Sequence, residues 1–347
     1  MLMIMGFCAL IECICQPVPG GTETVLYSNM EQAVWDGFTF MDKIFPLFLF
    51  IAGVAFPFSW AKQQSKGLGK GRMYKKIAFR FLALFAFGLM VNGFFRLDFA
   101  SLRVYSVLGR IGFAWAVAAI IYMNCSRPAR IVTASVLLVG YWLLLRFVPA
   151  PDSAAGPFTQ EGNLVGYVDR VLGIGTLYRG NFDPEGLLSN IPAIVTAMLG
   201  MFTGEFVRSD GLDGGKKTLW MFAAAAIMLV LGLLWSTVCP LNKNLWSSSF
   251  VLVCGAYSLA MFALFYWIID VKGLKRWTKF FVVIGMNSIT AYVLMHIIDF
   301  YGVSSYFLGG AAGFMGAWGP VLISVGELAA FWAVLWFLWK HKVFLKV

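Results

Sequence analysis

Charge is scarce in this chain: Asp, Glu, Lys and Arg make up 13% of its 347 residues, where a soluble domain carries about 25%. That excludes an ordinary solvated surface. Histidine occurs only at 296 and 341, and the six cysteines, at 8, 13, 15, 125, 239 and 254, form neither a CxxC pair nor a His-containing metal spacing. No metal site is therefore expected, and the cysteines read as small buried hydrophobes. Gly-rich phosphate loops are missing too, since GLGKGR at 67–72 mixes Gly and Lys without the GxxxxGK[ST] order. There is no repeat of fixed period and no low-complexity tract.

What the chain has in abundance is apolar length. Hydrophobic residues are 60% of the total, with 33 Phe and 13 Trp, and apolar runs recur that are long enough to cross a hydrocarbon core of roughly 30 Å. The composition predicts an all-α, polytopic transmembrane helical bundle forming a single domain over 1–347. Ten spans are expected: 1–15, 40–60, 77–95, 104–123, 131–148, 187–207, 219–238, 246–269, 280–299 and 320–339, the first of them short. The net charge of +10 is distributed as a topology signal, not as a nucleic-acid surface, and no nucleic-acid partner is expected. Most basic residues fall in alternate connections: the run from Lys62 to Arg80; Arg127 and Arg130; Arg208, Lys216 and Lys217; Lys272 to Lys279; and Lys340, Lys342 and Lys346. Basic residues near span ends mark the cytoplasmic side, so the C-terminus is expected inside and the segment 16–39 outside. Two outer segments are long, a charged one at 149–186, read as a solvated cap, and an uncharged, Gly- and aromatic-rich one at 301–319, read as a re-entrant or interfacial loop.

Ionisable residues inside spans are costly and usually face the bundle interior. The candidates are Glu12, Asp42, Lys43, Arg110, Glu205, His296, Asp299 and Glu327. Glu205 and Asp299 lie near span ends, where contact with the headgroup region suffices. Arg110 sits about two turns into its span and keeps its charge, so it either pairs with an acid such as Asp42 or binds an anionic ligand. Glu327 is read as hydrogen-bonding a neighbouring helix. A lone His in an apolar helix, as at His296, is more often a satisfied core residue than a catalyst, and Asn287 and Ser288 offer neutral donors and acceptors on the same helix. Asp42 and Lys43 together suggest a gate at the mouth of the second span, with Trp35 anchoring the preceding loop.

Four segments taken in order, VWDGFTFMDKIFPLFLFIAGVAFPFS, RVYSVLGRIGFAWAVAAI, FDPEGLLSNIPAIVTAMLGMFTGEFVR and GMNSITAYVL, resemble the bacterial relatives of heparan-alpha-glucosaminide N-acetyltransferase, a transmembrane acyltransferase family. The resemblance implies about eleven helices and transfer of acetyl, or another acyl group, from cytosolic acetyl-CoA to an amino sugar or envelope glycan on the outer side of a bacterial inner membrane. The partners it implies are that small-molecule or glycan acceptor, membrane lipids and a second copy of the chain. On this reading Arg72, Lys75 and Lys76 hold the coenzyme's phosphates, and Trp35, Asp42, Lys43, Arg110, Asn287 and Ser288 line a polar passage. The family pattern H-x-x-W-x-G is met here by Gln32, Trp35 and Gly37. Glutamine neither accepts a proton as a base nor carries an acyl group, so Asp36 and His296 are the alternative bases beside Gln32. The family's opening motif, like L-D-x-x-R-G, is expected upstream of Met1, which leaves the first span truncated. A catalytically inactive paralogue that binds or transports a sugar or lipid stays open as the alternative, and a scaffold role has little to support it.

Overall fold

The computed structural model describes residues 1–345; Lys346, counted above with the basic tail, lies outside the described residues. The chain is all-α. In order the helices are α1 (Cys8–Cys15), α2 (Val25–Ser28), α3 (Ile44–Gln64), α4 (Lys70–Val91), α5 (Val107–Asn124), α6 (Arg127–Phe147), α7 (Leu164–Leu172), α8 (Asn190–Arg208), α9 (Gly214–Ser236), α10 (Ser248–Tyr266), α11 (Thr278–Met286), α12 (Ser288–Ile297), α13 (Phe300–Phe314) and α14 (Gly319–Lys340). Among the described residues seven segments are long and apolar enough to cross a membrane, those of α3, α5, α6, α8, α9, α10 and α14. A further pair, α11 and α12, is bent by 70° at Asn287 and makes an eighth if counted as one broken span.

Where ten spans are expected, seven or eight segments among the described residues qualify by length and composition, and the differences have physical reasons. The expected first span is a short apolar helix over Met3–Cys15, and Gly6 within it has a φ of 120° that no regular helix adopts. The expected third falls on α4, whose first three turns carry Lys70, Arg72, Lys75, Lys76 and Arg80. The stretch read as a loop at 301–319 contains the helix α13. Asp299, assigned from sequence to the headgroup region, is its N-cap, accepting the Gly302 N–H on Oδ1 at 2.9 Å. The segment 149–186 is largely irregular, as expected, with α7 inside it.

Contacts divide the chain into two compact units. One comprises Met1–Gln32, Thr39–Met41 and the residues from Leu274 onward; its core is Met5, Val283, Ile284, Ala291, Phe300, Phe331 and Leu335. There Phe300 and Phe331 stack at 4.3 Å. At the α11–α12 break, Asn287 is 1% exposed and donates through Nδ2 to the carbonyls of Val283 (3.0 Å) and Leu335 (3.4 Å). It ties the broken span to α14 and replaces backbone bonds that the bend removes.

The other unit, Ala33–Phe38 with Asp42–Gly273, holds the largest core, built on Leu49, Phe56, Ala114, Trp115, Met198, Trp246 and Phe250. Its backbone is α3 against α8. Gly53 of α3 and Gly200 and Gly204 of α8 meet so closely that a Cβ on Gly200 would overlap the Phe50 carbonyl, and one on Gly204 the Val54 carbonyl. Small residues four apart allow this approach in a medium that offers no hydrophobic drive between helices. At one end of this unit Arg130 forms a two-point ion pair with Glu205 (3.0 and 3.2 Å) and lies over the Tyr122 ring at 4.2 Å. Glu205 is therefore paired within the bundle, not left to the headgroups. At the opposite end the close approach of α3 and α8 fixes Asp42 and Ser189 just ahead of the two helices. Gly200→Val should overpack the contact at a cost of about 1–3 kcal/mol, read as a lowered midpoint for thermal unfolding in detergent.

Candidate functional site

Asp42 and Lys43 lie in the turn that leads into α3. Asp42 has 0% exposure, and a buried carboxylate needs donors. Its Oδ2 accepts the Ala33 N–H at 3.3 Å, and its Oδ1 faces Lys243 Nζ at 3.7 Å. Beside its sequence neighbour Lys43, the structure brings Lys243 to Asp42. Lys43 lies over the rings of Phe38 (5.0 Å) and Tyr257 (4.8 Å).

Lys243 belongs to the connection between α9 and α10, and that connection is unusually well tied. Ser247 Oγ donates to the Pro240 carbonyl (2.6 Å), Ser249 Oγ to the Cys239 carbonyl (2.6 Å), and Tyr141 OH to the Leu245 carbonyl (2.6 Å). Asn242 accepts the Leu245 N–H on Oδ1 at 2.9 Å. Trp246, fully buried, takes a left-handed φ of 50°, which a bulky residue holds only when its surroundings insist. Its indole donates to Thr196 Oγ1 at 3.1 Å and packs edge-on against Phe45 and Phe250. From this fixed segment three residues grip the Trp35 loop: Leu241 accepts the Gly37 N–H (3.1 Å), Asn242 Nδ2 donates to Asp36 Oδ1 (2.9 Å), and Asn244 Nδ2 donates to the Val34 carbonyl (3.4 Å). Trp35 is fixed from its other side, donating to the Phe158 carbonyl at 2.8 Å and meeting Phe182 edge-on at 4.9 Å.

Arg110 enters from α5, whose start is capped by Ser106 accepting the Gly109 N–H at 3.0 Å. It is 2% exposed. Nη2 donates to Ser189 Oγ and to the Gly186 carbonyl at 3.4 Å, and the guanidinium lies 4.9 Å from the Trp246 ring centre. Nε and Nη1 have no hydrogen-bond partner among the described residues. Of the two expectations for Arg110, pairing with Asp42 is not what the structure shows; its partners are the Gly186–Ser189 turn.

That turn is held by charge. Arg103 donates to Asp183 through Nε and Nη2, both at 2.7 Å, and to Glu185. Burial opposes the Arg103 charge, but these two carboxylates outweigh it and hold its pKa above the ordinary value. Asp169 accepts the Leu187 N–H on Oδ1 at 3.0 Å. A Cβ on Gly186 would overlap this carboxyl, so a larger residue there would displace the Asp169 side chain. Burial, with the nearby Asp183 charge adding, pushes the Asp169 pKa up to about 6.

The site thus gathers Trp35, Asp36, Asp42, Lys43 and Arg110 from the sequence-predicted residues. Gln32, Asn287, Ser288 and His296 belong to the other unit, where Gln32 is exposed and His296 Nδ1 bonds the Tyr292 carbonyl at 2.8 Å. Arg72, Lys75 and Lys76 are exposed on the first turns of α4, whose far end leads into the site; from Lys75 to Val91 the axis runs about 24 Å. Sequence reading missed Asn242, Lys243, Asn244, Asp169, Asp183 and Glu185. All lie between the spanning segments, Asp169 on the short helix α7 and the others in connections, where polar residues are ordinary; the one available signal was the density of Asn, Lys and Ser in PLNKNLWSSS between two apolar spans.

Helices of spanning length and a buried charged cluster define a multi-pass membrane protein. No family model matches the chain. It is similar to human heparan-alpha-glucosaminide N-acetyltransferase, 30% identical over 79% of this chain and 50% of the relative, and to the mouse protein of that name, 29% identical with the same shares. The chain is a relative of the heparan-alpha-glucosaminide N-acetyltransferases, and it spans about half the length of the curated relatives it matches.

Asp169 gives the site a pH signature. An unfolded Asp titrates near 3.8 and the folded one near 6, so between these values the folded state holds the extra proton. The corresponding stability is complete below about pH 3.8 and is lost as pH rises through 6, by up to about 3 kcal/mol. The difference in unfolding midpoint between wild type and Asp169→Asn should therefore change across pH 4–6.5 and level off above it.

Proposed function

We propose that this chain is a membrane-embedded acyltransferase that moves an acetyl group from acetyl-CoA to an amino sugar or glycan, with the chemistry at the Asp36, Lys243 and Arg110 end of the second unit. The observation that carries this reading is Arg110: a permanently charged guanidinium, 2% exposed, with Nε and Nη1 unpaired among the described residues. Such donors are expensive to leave unmade, and an anionic or carbonyl oxygen of a substrate satisfies them. The relatives' printed activity, N-acetyl transfer to a glucosaminide, supplies the reaction class.

Acyl transfer to an amine needs a base for the nitrogen's proton and a group that steadies the developing oxyanion. Asp36 is exposed yet held in place by Asn242, the arrangement a base requires. The basic turns of α4 suit the coenzyme's phosphates, as a point-charge surface. With the C-terminus on the cytoplasmic side of a bacterial inner membrane, donor and acceptor approach from opposite ends. Transfer across the membrane then needs the apolar core around Phe45, Leu49 and Phe56 to part during turnover.

An inactive sugar- or lipid-binding paralogue is the second reading, favoured by Gln32, which has no titratable group. Purified protein given labelled acetyl-CoA and a panel of amino sugars separates the two: acetylated sugar is expected, and binding without product across the panel would support the inactive form. Arg110→Met should lower kcat/KM roughly 10- to 100-fold, the size of a lost charged hydrogen bond, and Asp36→Asn should lower kcat.

A further inference from the structure

The base and the anionic-oxygen site leave one chemical need unassigned, and one buried cation unused. Lys243 presents its ammonium 3.7 Å from Asp42 Oδ1, with the side chain 12% exposed. It is desolvated enough for its charge to act strongly and open enough to meet a small substrate. An ammonium has three donors, and the Asp42 carboxylate occupies one direction. The neighbouring residue, Asn242, is the one that fixes Asp36. One tied segment thus holds the Asp36 carboxylate through Asn242 and carries the Lys243 ammonium on the next residue, its backbone clamped at Lys243 itself by the Trp246 N–H to the Lys243 carbonyl at 3.1 Å and, one residue on each side, by Asn242 and Asn244.

The geometry points to Lys243 as a catalytic residue of the acyl transfer, its ammonium donating to the thioester carbonyl oxygen as negative charge builds there. This rests on the proposed function and deepens it. The acceptor nitrogen's lone pair bonds to the carbonyl carbon, the π pair moves onto oxygen beside Lys243, and the nitrogen's proton passes to the Asp36 carboxylate. On collapse the C–S bond breaks with its pair on sulfur, which recovers that proton as the free thiol of CoA. Lys243 remains an ammonium throughout, and Asp42 keeps it oriented. Preorganised donors of this kind act in the transition state more than in the ground state.

The test is steady-state transfer with labelled acetyl-CoA and the best acceptor for wild type, Lys243→Met, Lys243→Arg and the double variant Asp42→Asn/Lys243→Met. The double variant removes both buried charges together, so it decides the matter if Lys243→Met alone unfolds around an unpaired Asp42; thermal unfolding in detergent reports folding for each. The expected result is a kcat lowered roughly 100- to 1,000-fold in Lys243→Met and in the double variant, the range for a lost oxyanion donor, with KM for acetyl-CoA within about threefold of wild type and part of kcat restored by Lys243→Arg. A purely structural role would show instead as a rise in KM or as loss of folding in every variant. A folded Lys243→Met or double variant that keeps kcat within about threefold overturns the assignment while leaving the proposed function standing. No product from wild type overturns both.

Discussion

A carboxylate removed from water at the head of a spanning helix has to be met by donors, and Asp42 is where this fold meets that demand. Its two oxygens draw together the Ala33 amide from the preceding loop and Lys243 from the connection between α9 and α10. Neither group is near Asp42 because of local structure. Lys243 reaches it only because Trp246 is wedged, at a left-handed φ, between Phe45 and Phe250, and the loop before Asp42 stays in place only because Leu241, Asn242 and Asn244 hold it. The buried charge and the rigidity of the site are therefore one fact: the energy that would be lost by leaving Asp42 unmet is what orders the segments around it.

The helix packing serves the same end. Where Gly53, Gly200 and Gly204 let α3 and α8 approach to backbone contact, the start of α3 and the turn before α8 are fixed together, and with them Asp42 and Ser189. Arg110, placed by the Ser106 cap of α5, then finds Ser189 and Gly186 on that turn. A bundle with larger residues at those glycines would hold its helices further apart and separate the two halves of the charged cluster.

Much of this architecture was legible in the sequence. Apolar run length gave the all-α membrane class and the spans of α3, α5, α6, α8, α9, α10 and α14, because hydrophobic length is a property of composition alone. It is least decisive where length and charge disagree, as at α4, and where a break sits inside an apolar run, as at Asn287. Asp42, Lys43 and Arg110 stood out because ionisable residues in spans are rare. Lys243, Asn242 and Asp169 did not, because a polar residue outside the apolar spans has no excess cost to mark it; only the three-dimensional burial of those segments makes them informative. Glu205 and Asp299 were given headgroup roles because a residue near a span end looks solvated until its partner, Arg130 or the first turn of α13, is known.

The central claim is that substrate chemistry takes place at Arg110 and Lys243. The most direct measurement is an experimental structure of the protein with a non-hydrolysable acetyl-CoA analogue and an amino sugar bound. The account predicts the carbonyl oxygen that replaces the thioester's within hydrogen-bond distance of Lys243 Nζ, the sugar nitrogen beside Asp36, and a substrate oxygen on Arg110 Nε or Nη1. Density for both ligands remote from these three side chains, with Arg110 and Lys243 unchanged, would contradict it.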